Sequence, residues 1–303
     1  MEFRGDWKWI KDLFQLKAYW HWKLHEMCHV CFATNSGPMA WASDLTRRFP
    51  RRSSANIVAA VMPDTDINPL CCVQGFNPAL QFKWCTMHVL NLGALQVANG
   101  SALMLLLSHS YWGPAMDQAS GLLAASGGFR AWATAQHVEH SVPFLTSGML
   151  FGDGGPFPCL TLKAHAGKIF LLYIGGCMRD LMRRVADPEV KLASMMLDSL
   201  LRWFHLVETA PRRLQLPAFL CCSGEAGAAS LSILRWKLLP KHHAFAHVLE
   251  DSLLRRENPR AFHCFQDEDM IGQWKKLCSG TQGALMEYRL MARWLVRLGA
   301  SAK

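Results

Sequence analysis

The sequence predicts a mainly α-helical protein, a multi-helix globular bundle, and three observations lead there. Apolar residues recur at three- and four-residue spacing through most of the chain. Prolines and glycines stand near the ends of those periodic stretches. Strand-like alternation is scarce, and residues 160–162 and 169–174 are the short runs compatible with either state. At 303 residues, 51% hydrophobic and 18% charged, the chain is too apolar for disorder and long enough to bury a large core.

The elements follow in order. Asp6 caps a helix that starts at Trp7 and turns Ile10, Leu13, Phe14 and Leu16 toward a core. It ends before a His/Cys-rich string at 21–31. A loop, NSGPMAWASD, then leads to the basic run RRFPRRSS at 47–54. Residues 62–78 carry three prolines and read as irregular. Helical patterns cover 85–111 and 115–137, split by Gly113-Pro114.

The longest apolar run, 90–112, is interrupted by Asn91, Gln96, Asn99, Ser101 and His109. It lacks the ~18 clean apolar residues of a membrane span and reads as a packed core helix. The turn-rich FGDGGPFPC at 151–159 marks the expected boundary between two regions. Residues 1–150 form an N-terminal helical region with a CxxC loop, and 151–303 a basic C-terminal helical region. Downstream, 160–184, 189–208, 216–239 and 242–256 have helical spacing, punctuated by Pro188, Pro211, Pro217, Pro240 and Pro259. The last two helices are expected at 267–278 and 281–298.

The charged, aromatic N-terminus MEFRGDWKWIKD is unlike a secretory signal. Eleven cysteines are therefore expected to be reduced thiols or metal ligands. Cys71-Cys72 and Cys221-Cys222 are adjacent and ill-placed to bridge each other. The expectation is an intracellular protein, nuclear or cytoplasmic, not secreted and without a membrane partner. A net charge of +9 allows a nucleic-acid partner without requiring one.

Four constellations can carry chemistry. In HWKLHEMCHVC, Cys28 and Cys31 have the spacing of two thiolates sharing one zinc, and His21 or His25 can add a ligand. A structural site needs four ligands, so the rest are either local and crowded or supplied by a distant Cys or His. The other reading is a pair of buried, reduced cysteines. In KHHAFAHVLED, His243, His247 and Asp251 share one helix face that can ligate a metal or touch phosphate. That face reads more readily as a half-exposed polar stripe opposite Phe245, Val248 and Leu249.

Asp267, Glu268 and Asp269 can hold a divalent metal, and they also suit the first turn of a helix. Arg289, Arg293 and Arg297 line one face of the last helix. With Arg47, Arg48, Arg51 and Arg52 they are the candidate phosphate contacts. GDGG at 152–155 lacks the phosphate-loop frame, and neither a GxSxG elbow nor a kinase signature occurs.

Several motifs together resemble a known group. GDWKWIKDLFQL before CHVC, KWCTMHVLNLGALQVANGSAL, LLPKHHAFAHVLED and NPRAFHCFQDEDMIGQWKKLC are similar to segments of transposon-derived proteins of protist (dinoflagellate-type) genomes. The resemblance implies kinship with cut-and-paste transposases whose RNase H-like catalytic domain carries a large helical insertion. It thus implies a remnant of an α/β core. In such enzymes three carboxylates hold two magnesium or manganese ions.

By the resemblance Asp6 would be the first carboxylate and one of Asp267, Glu268 and Asp269 the last. The second position falls on KWCTMH, residues 83–88, which has no carboxylate. That departure, with Met1 so close before Asp6, implies a truncated, catalytically inactive copy. DNA contact and a structural zinc would remain. Two alternatives stand beside this expectation. One is a non-enzymatic helical protein-interaction module. The other is a metal-dependent nuclease using Asp6, Asp64 or Asp66 with the 267–269 cluster.

Overall fold

The computed structural model describes residues 3–17, 23–43, 47–62, 68–114, 117–152, 155–214, 235–278 and 286–301. Most of the expected helix 216–239 lies outside them, as do His21, Asp64 and Asp66. The described chain is mainly helical, as the spacing predicts, and it divides into two compact units, Met1–His263 and Cys264–Lys303.

The first unit opens with β1 (Phe3–Gly5), which pairs in parallel with β2 (Phe82–Trp84), Phe3 facing Phe82 and Gly5 facing Trp84. Neither strand is legible as alternation, because each has only three residues. Helix α1 (Trp7–Phe14) follows at once. The Asp6 side chain accepts the Lys8 N–H, and the helix buries Trp7, Ile10 and Phe14. Helix α2 (Ser54–Val61) starts from a capping box in which Ser53 and Asn56 satisfy each other's backbone N–H. Helix α3 (Pro78–Gln81) is a single turn that leads into β2.

Met87–Ala94 is π-helical and runs directly into α4 (Leu95–Ser108). Together, Met87–Ser108 is long and apolar enough to span a membrane, with a mean hydropathy of 1.5. Scattered Asn and Ser residues break up an apolar run without lowering its mean below that of a span. Burial decides its role, since 83% of the stretch lies inside the protein, making it the core helix. The polar residues that interrupt it are spent on neighbouring carbonyls. Asn91 donates to Ala164 O and Asn99 to Gly167 O, at the start of α7 (Ala164–Arg184).

Around this helix pack α5 (Gln118–Ala135), α7 and α8 (Pro188–Thr209), with the short α6 (Ser147–Phe151) against α5. Asp117 and Asp187 cap α5 and α8 with their side chains. Residues 169–174, compatible with either state in the sequence, are helical within α7. The turn-rich segment 151–159 sits inside the first unit. Cys159 N–H bonds Leu150 O, and Leu160 N–H reaches Gln96 O on α4.

The last long helix of this unit is α9 (Pro240–Arg255), with Pro240 in its first turn, where a missing N–H costs nothing. It packs on the π-helical segment. There the backbone of Leu92 leaves helical geometry, and Lys241 Nζ donates to the Leu92 carbonyl at 2.5 Å. Any Cβ at Gly93 would overlap the Lys241 side chain. The second unit is a pair of helices, α10 (Phe265–Cys278) and α11 (Met286–Ser301), in which Trp274 and Trp294 stack at 5.0 Å.

Gly100 of α4 has a comparable constraint. A Cβ there would stand 2.7 Å from Leu160 N and 2.9 Å from Cys159 N, both backbone atoms. Gly100→Ala should therefore cost about 1–3 kcal/mol in urea unfolding, because the crossing backbone cannot rotate away. Gly127, exposed in α5 with open space at its Cβ, gives the contrasting control. Gly127→Ala should be neutral or gain up to about 1 kcal/mol.

Candidate metal centre

Residues 25–43 and 47–52 fold as a small knuckle with its own hydrophobic cluster. Met27, Ala33, Trp41 and Phe49 pack around Cys28 and Cys31, apart from the main core. Its backbone is pinned locally. Asn35 N–H bonds His25 O, Thr34 N–H bonds Met39 O, and Trp41 N–H returns to Thr34 O. The CxxC turn is clamped by the segment after Phe49. Phe32 N–H donates to Pro50 O, Arg52 N–H to Val30 O, and Cys31 and Arg51 form an antiparallel bridge. Ala33 N–H also points at Cys31 Sγ, 3.4 Å away.

Helix α9 completes the site. Its His243 and His247, one turn apart, project side by side toward the knuckle. Cys28 Sγ lies 3.4 Å from His247 Nε2, and Cys31 Sγ lies 3.3 Å from His243 Nε2. The two Nε2 atoms are 3.1 Å apart. All four donor atoms lie within 4.8 Å of one another, and all four residues are buried. A tetrahedral zinc with ordinary bond lengths places its ligand atoms about 3.3–3.8 Å apart. The four donors fit that shell, and the group is able to hold a metal ion.

The electrostatics fit a cation. Burial alone would raise the Cys28 thiol, but the Cys31 hydrogen bond and the charge of His247, with hydrogen bonds from both histidines, hold it well below its ordinary value. Cys31 is pushed up, because it donates its proton to Cys28 and is buried beside that thiolate. Burial disfavours the His247 imidazolium, yet the Cys28 thiolate and Glu250 outweigh it and lift His247 to about 9. A thiolate, a shared thiol proton and an imidazolium thus occupy one buried shell. A divalent cation can replace both protons there.

His29, between the two cysteines, plays a different part. It is fully buried, its ring centroid 3.9 Å from that of Trp7 and 5.1 Å from that of Trp84, and neither of its ring nitrogens has a hydrogen-bond partner among the described residues. Burial, with the neighbouring His247, Arg52 and His243 charges, depresses it to about 3 against the opposing pull of Cys28, so it packs as a neutral aromatic ring. Trp84 continues the stack onto His247, ring centroids 6.1 Å apart and nearly coplanar.

The other sequence-derived candidates fall into place around this centre. Cys28 and Cys31 belong to the four-donor group, which His243 and His247 complete. His25 is exposed on the knuckle and outside the group, and His21 lies outside the described residues. Arg51 is half-buried, paired with Glu250 and Asp251 at 2.6 Å each. Arg52 is buried, donating to Cys31 O and Glu26. Arg47 and Arg48 are exposed, with Arg47 reaching Pro38 O.

Asp6 caps α1 at the surface. Within the second unit, Asp267 and Glu268 stand in the first turn of α10, with Asp269 exposed just after. Arg289 and Arg293 are exposed on α11, Arg293 donating to Leu277 O, and Arg297 belongs to the same helix. The sequence signal that identifies the missing ligands is His243-x-x-x-His247, a spacing suited to one metal from one helix face. Compared with protein-family models, curated proteins and solved structures, the chain has no match in any of the three.

Cobalt(II) offered to the protein should give the intense visible bands of tetrahedral thiolate–imidazole ligation, and Cys28→Ser should remove about half of the thiolate charge-transfer intensity. Octahedral cobalt spectra would rule out this ligand set.

Proposed function

We propose that Cys28, Cys31, His243 and His247 bind one structural zinc ion, and that the protein is a non-enzymatic, zinc-stapled helical module. The observation that carries this reading is the convergence of four buried donors from segments 212 residues apart in the chain. Two thiolates and two imidazoles suit zinc among the common divalent ions, and magnesium and calcium prefer oxygen. The full, buried shell keeps no open position for water or substrate, which marks a structural centre and not a catalytic one.

A nucleic-acid partner is a second reading, in keeping with descent from a transposon-encoded protein that no longer cuts DNA. It is supported by the net charge of +9 and by the exposed Arg47 and Arg48 on the knuckle beside the metal shell. Arg51 and Arg52 contribute little to it, since both are engaged inside the protein. The helix-capping duties of Asp6 and the first-turn placement of Asp267 and Glu268 account for those carboxylates without catalysis.

Metal analysis of purified protein should find one zinc per chain. Cys28→Ser, Cys31→Ser, His243→Ala and His247→Ala should each lose it, whereas His25→Ala should retain it. Zinc retained in His243→Ala and lost in His25→Ala would replace this ligand set by a local one. For nucleic acid, Arg47→Ala/Arg48→Ala should weaken duplex binding and reduce the slope of log K against log salt by about two. Binding insensitive to salt would remove the DNA reading.

A further inference from the structure

The zinc reading assigns four ligands but leaves open what aims them. The two ring nitrogens of His247 face opposite ways. Nε2 points into the donor shell, 3.4 Å from Cys28 Sγ, and Nδ1 points out toward Glu250 Oε2 at 3.5 Å. Glu250 is held in turn. Arg51 donates to its Oε2 through Nε at 3.1 Å and Nη2 at 2.6 Å, and through Nη1 to Asp251 Oδ1 at 2.6 Å. Arg255, one turn further along α9, approaches the same Asp251 oxygen at 3.6 Å.

Arg51 is also tied to the opposite side of the shell, because its backbone bridges that of Cys31. A closed circuit results: Cys31, the backbone bridge to Arg51, its guanidinium, Glu250, His247 and back into the donor shell. One guanidinium spans two carboxylates on adjacent residues of α9, and the link from Glu250 to His247 is an ion-pair contact of 3.5 Å. A metal-bound histidine is oriented by the group that accepts its other N–H, and a carboxylate there makes the imidazole a stronger ligand.

We infer that Arg51 and Glu250 are the positioning residues of this metal centre, Glu250 fixing His247 as an Nε2 ligand and Arg51 tying Glu250 to the segment that bridges Cys31. The inference rests on the zinc reading and deepens it. Arg51, a phosphate contact by sequence, takes an internal role. The partners are specific to one ligand: Glu250 faces His247, and the His243 ring meets Phe49 edge-on at 5.5 Å.

The test uses the full chain loaded with zinc. Affinity is measured by competition with a chromogenic chelator, and the histidine ring nitrogens are observed by long-range proton–nitrogen NMR. Glu250→Gln, which preserves shape, and Arg51→Ala should each weaken zinc by about 10–100-fold while still binding one equivalent. The double variant should be little worse than either alone, since both act through one path. Arg51→Lys, which reaches one carboxylate as a point charge, should fall between Arg51→Ala and wild type.

Glu26→Gln, which breaks the neighbouring Arg52 pair, is the control and should bind as wild type does. In Glu250→Gln the Nδ1 signal of His247 should move and that of His243 should stay. Wild-type affinity in Glu250→Gln, or equal movement of both histidines, would overturn the positioning role and leave the zinc site standing. A wild-type chain that takes up no zinc would overturn both readings, and the first titration reports it.

Discussion

The knuckle around the CxxC turn meets α9 at one buried junction, where four donor atoms converge within 4.8 Å of one another. Its own cluster is built around Met27, Ala33, Trp41 and Phe49, too few side chains to fold about thirty residues unaided. Small modules of that size rely on a metal or a disulfide. A metal held by this group would join positions 212 and 219 residues apart. Closing a loop of that length constrains the unfolded chain by about 5 kcal/mol, by the relation that applies to disulfides. A shell formed from neighbouring residues alone would forgo nearly all of that.

The same junction explains how a basic chain buries part of its charge. Surplus arginine at the surface would be available to phosphate, but Arg51 and Arg52 flank the CxxC turn and face inward. Their partners Glu250, Asp251 and Glu26 bring carboxylates to a site that otherwise concentrates positive charge from His247 and any bound cation. Glu250 is driven down to about 2 by its hydrogen bond to His247, against the effect of burial and with the help of Arg51. The carboxylate therefore stays ionised beside the shell across the physiological range.

Much of the helical architecture was legible, because a 3.6-residue period and proline punctuation are local signals. Asp6 as a cap and Ile10 and Phe14 as core positions follow from that reasoning alone. The short strands β1 and β2 were not legible, since three residues carry no alternation and their pairing partner is 79 positions away (82 against 3). The metal centre was legible in halves. Cys28-x-x-Cys31 asked for two further ligands, and His243-x-x-x-His247 offered two on one helix face.

Nothing in local periodicity joins those halves, so the nearby His21 and His25 stood in for the distant pair. Arg51 misleads for the same reason. Its basic neighbours are visible in RRFPRRSS, whereas Glu250 and Asp251 lie about two hundred residues downstream. A motif with unfilled valence is thus a request for a partner anywhere in the chain. The closest histidine satisfies it only if the turn between them can place both nitrogens on one tetrahedron.

The metal shell and the Arg51 bridge join the same two segments, and this parallel arrangement changes what each is worth. An isolated, partly exposed ion pair contributes about 0–1 kcal/mol, because ordering two long side chains offsets most of the attraction. If a metal closed the long loop through the four donors, Arg51 would meet Glu250 and Asp251 at a high effective concentration and with its backbone already fixed by Cys31. The converse holds for the metal. With α9 and the CxxC turn aligned by the guanidinium, the four donor atoms already lie within 4.8 Å of one another, and less ordering would be left for an ion to impose. With a metal bound, two fasteners that each lower the cost of the other would give one cooperative joint, enough to hold a knuckle with so small a core to the helices around it.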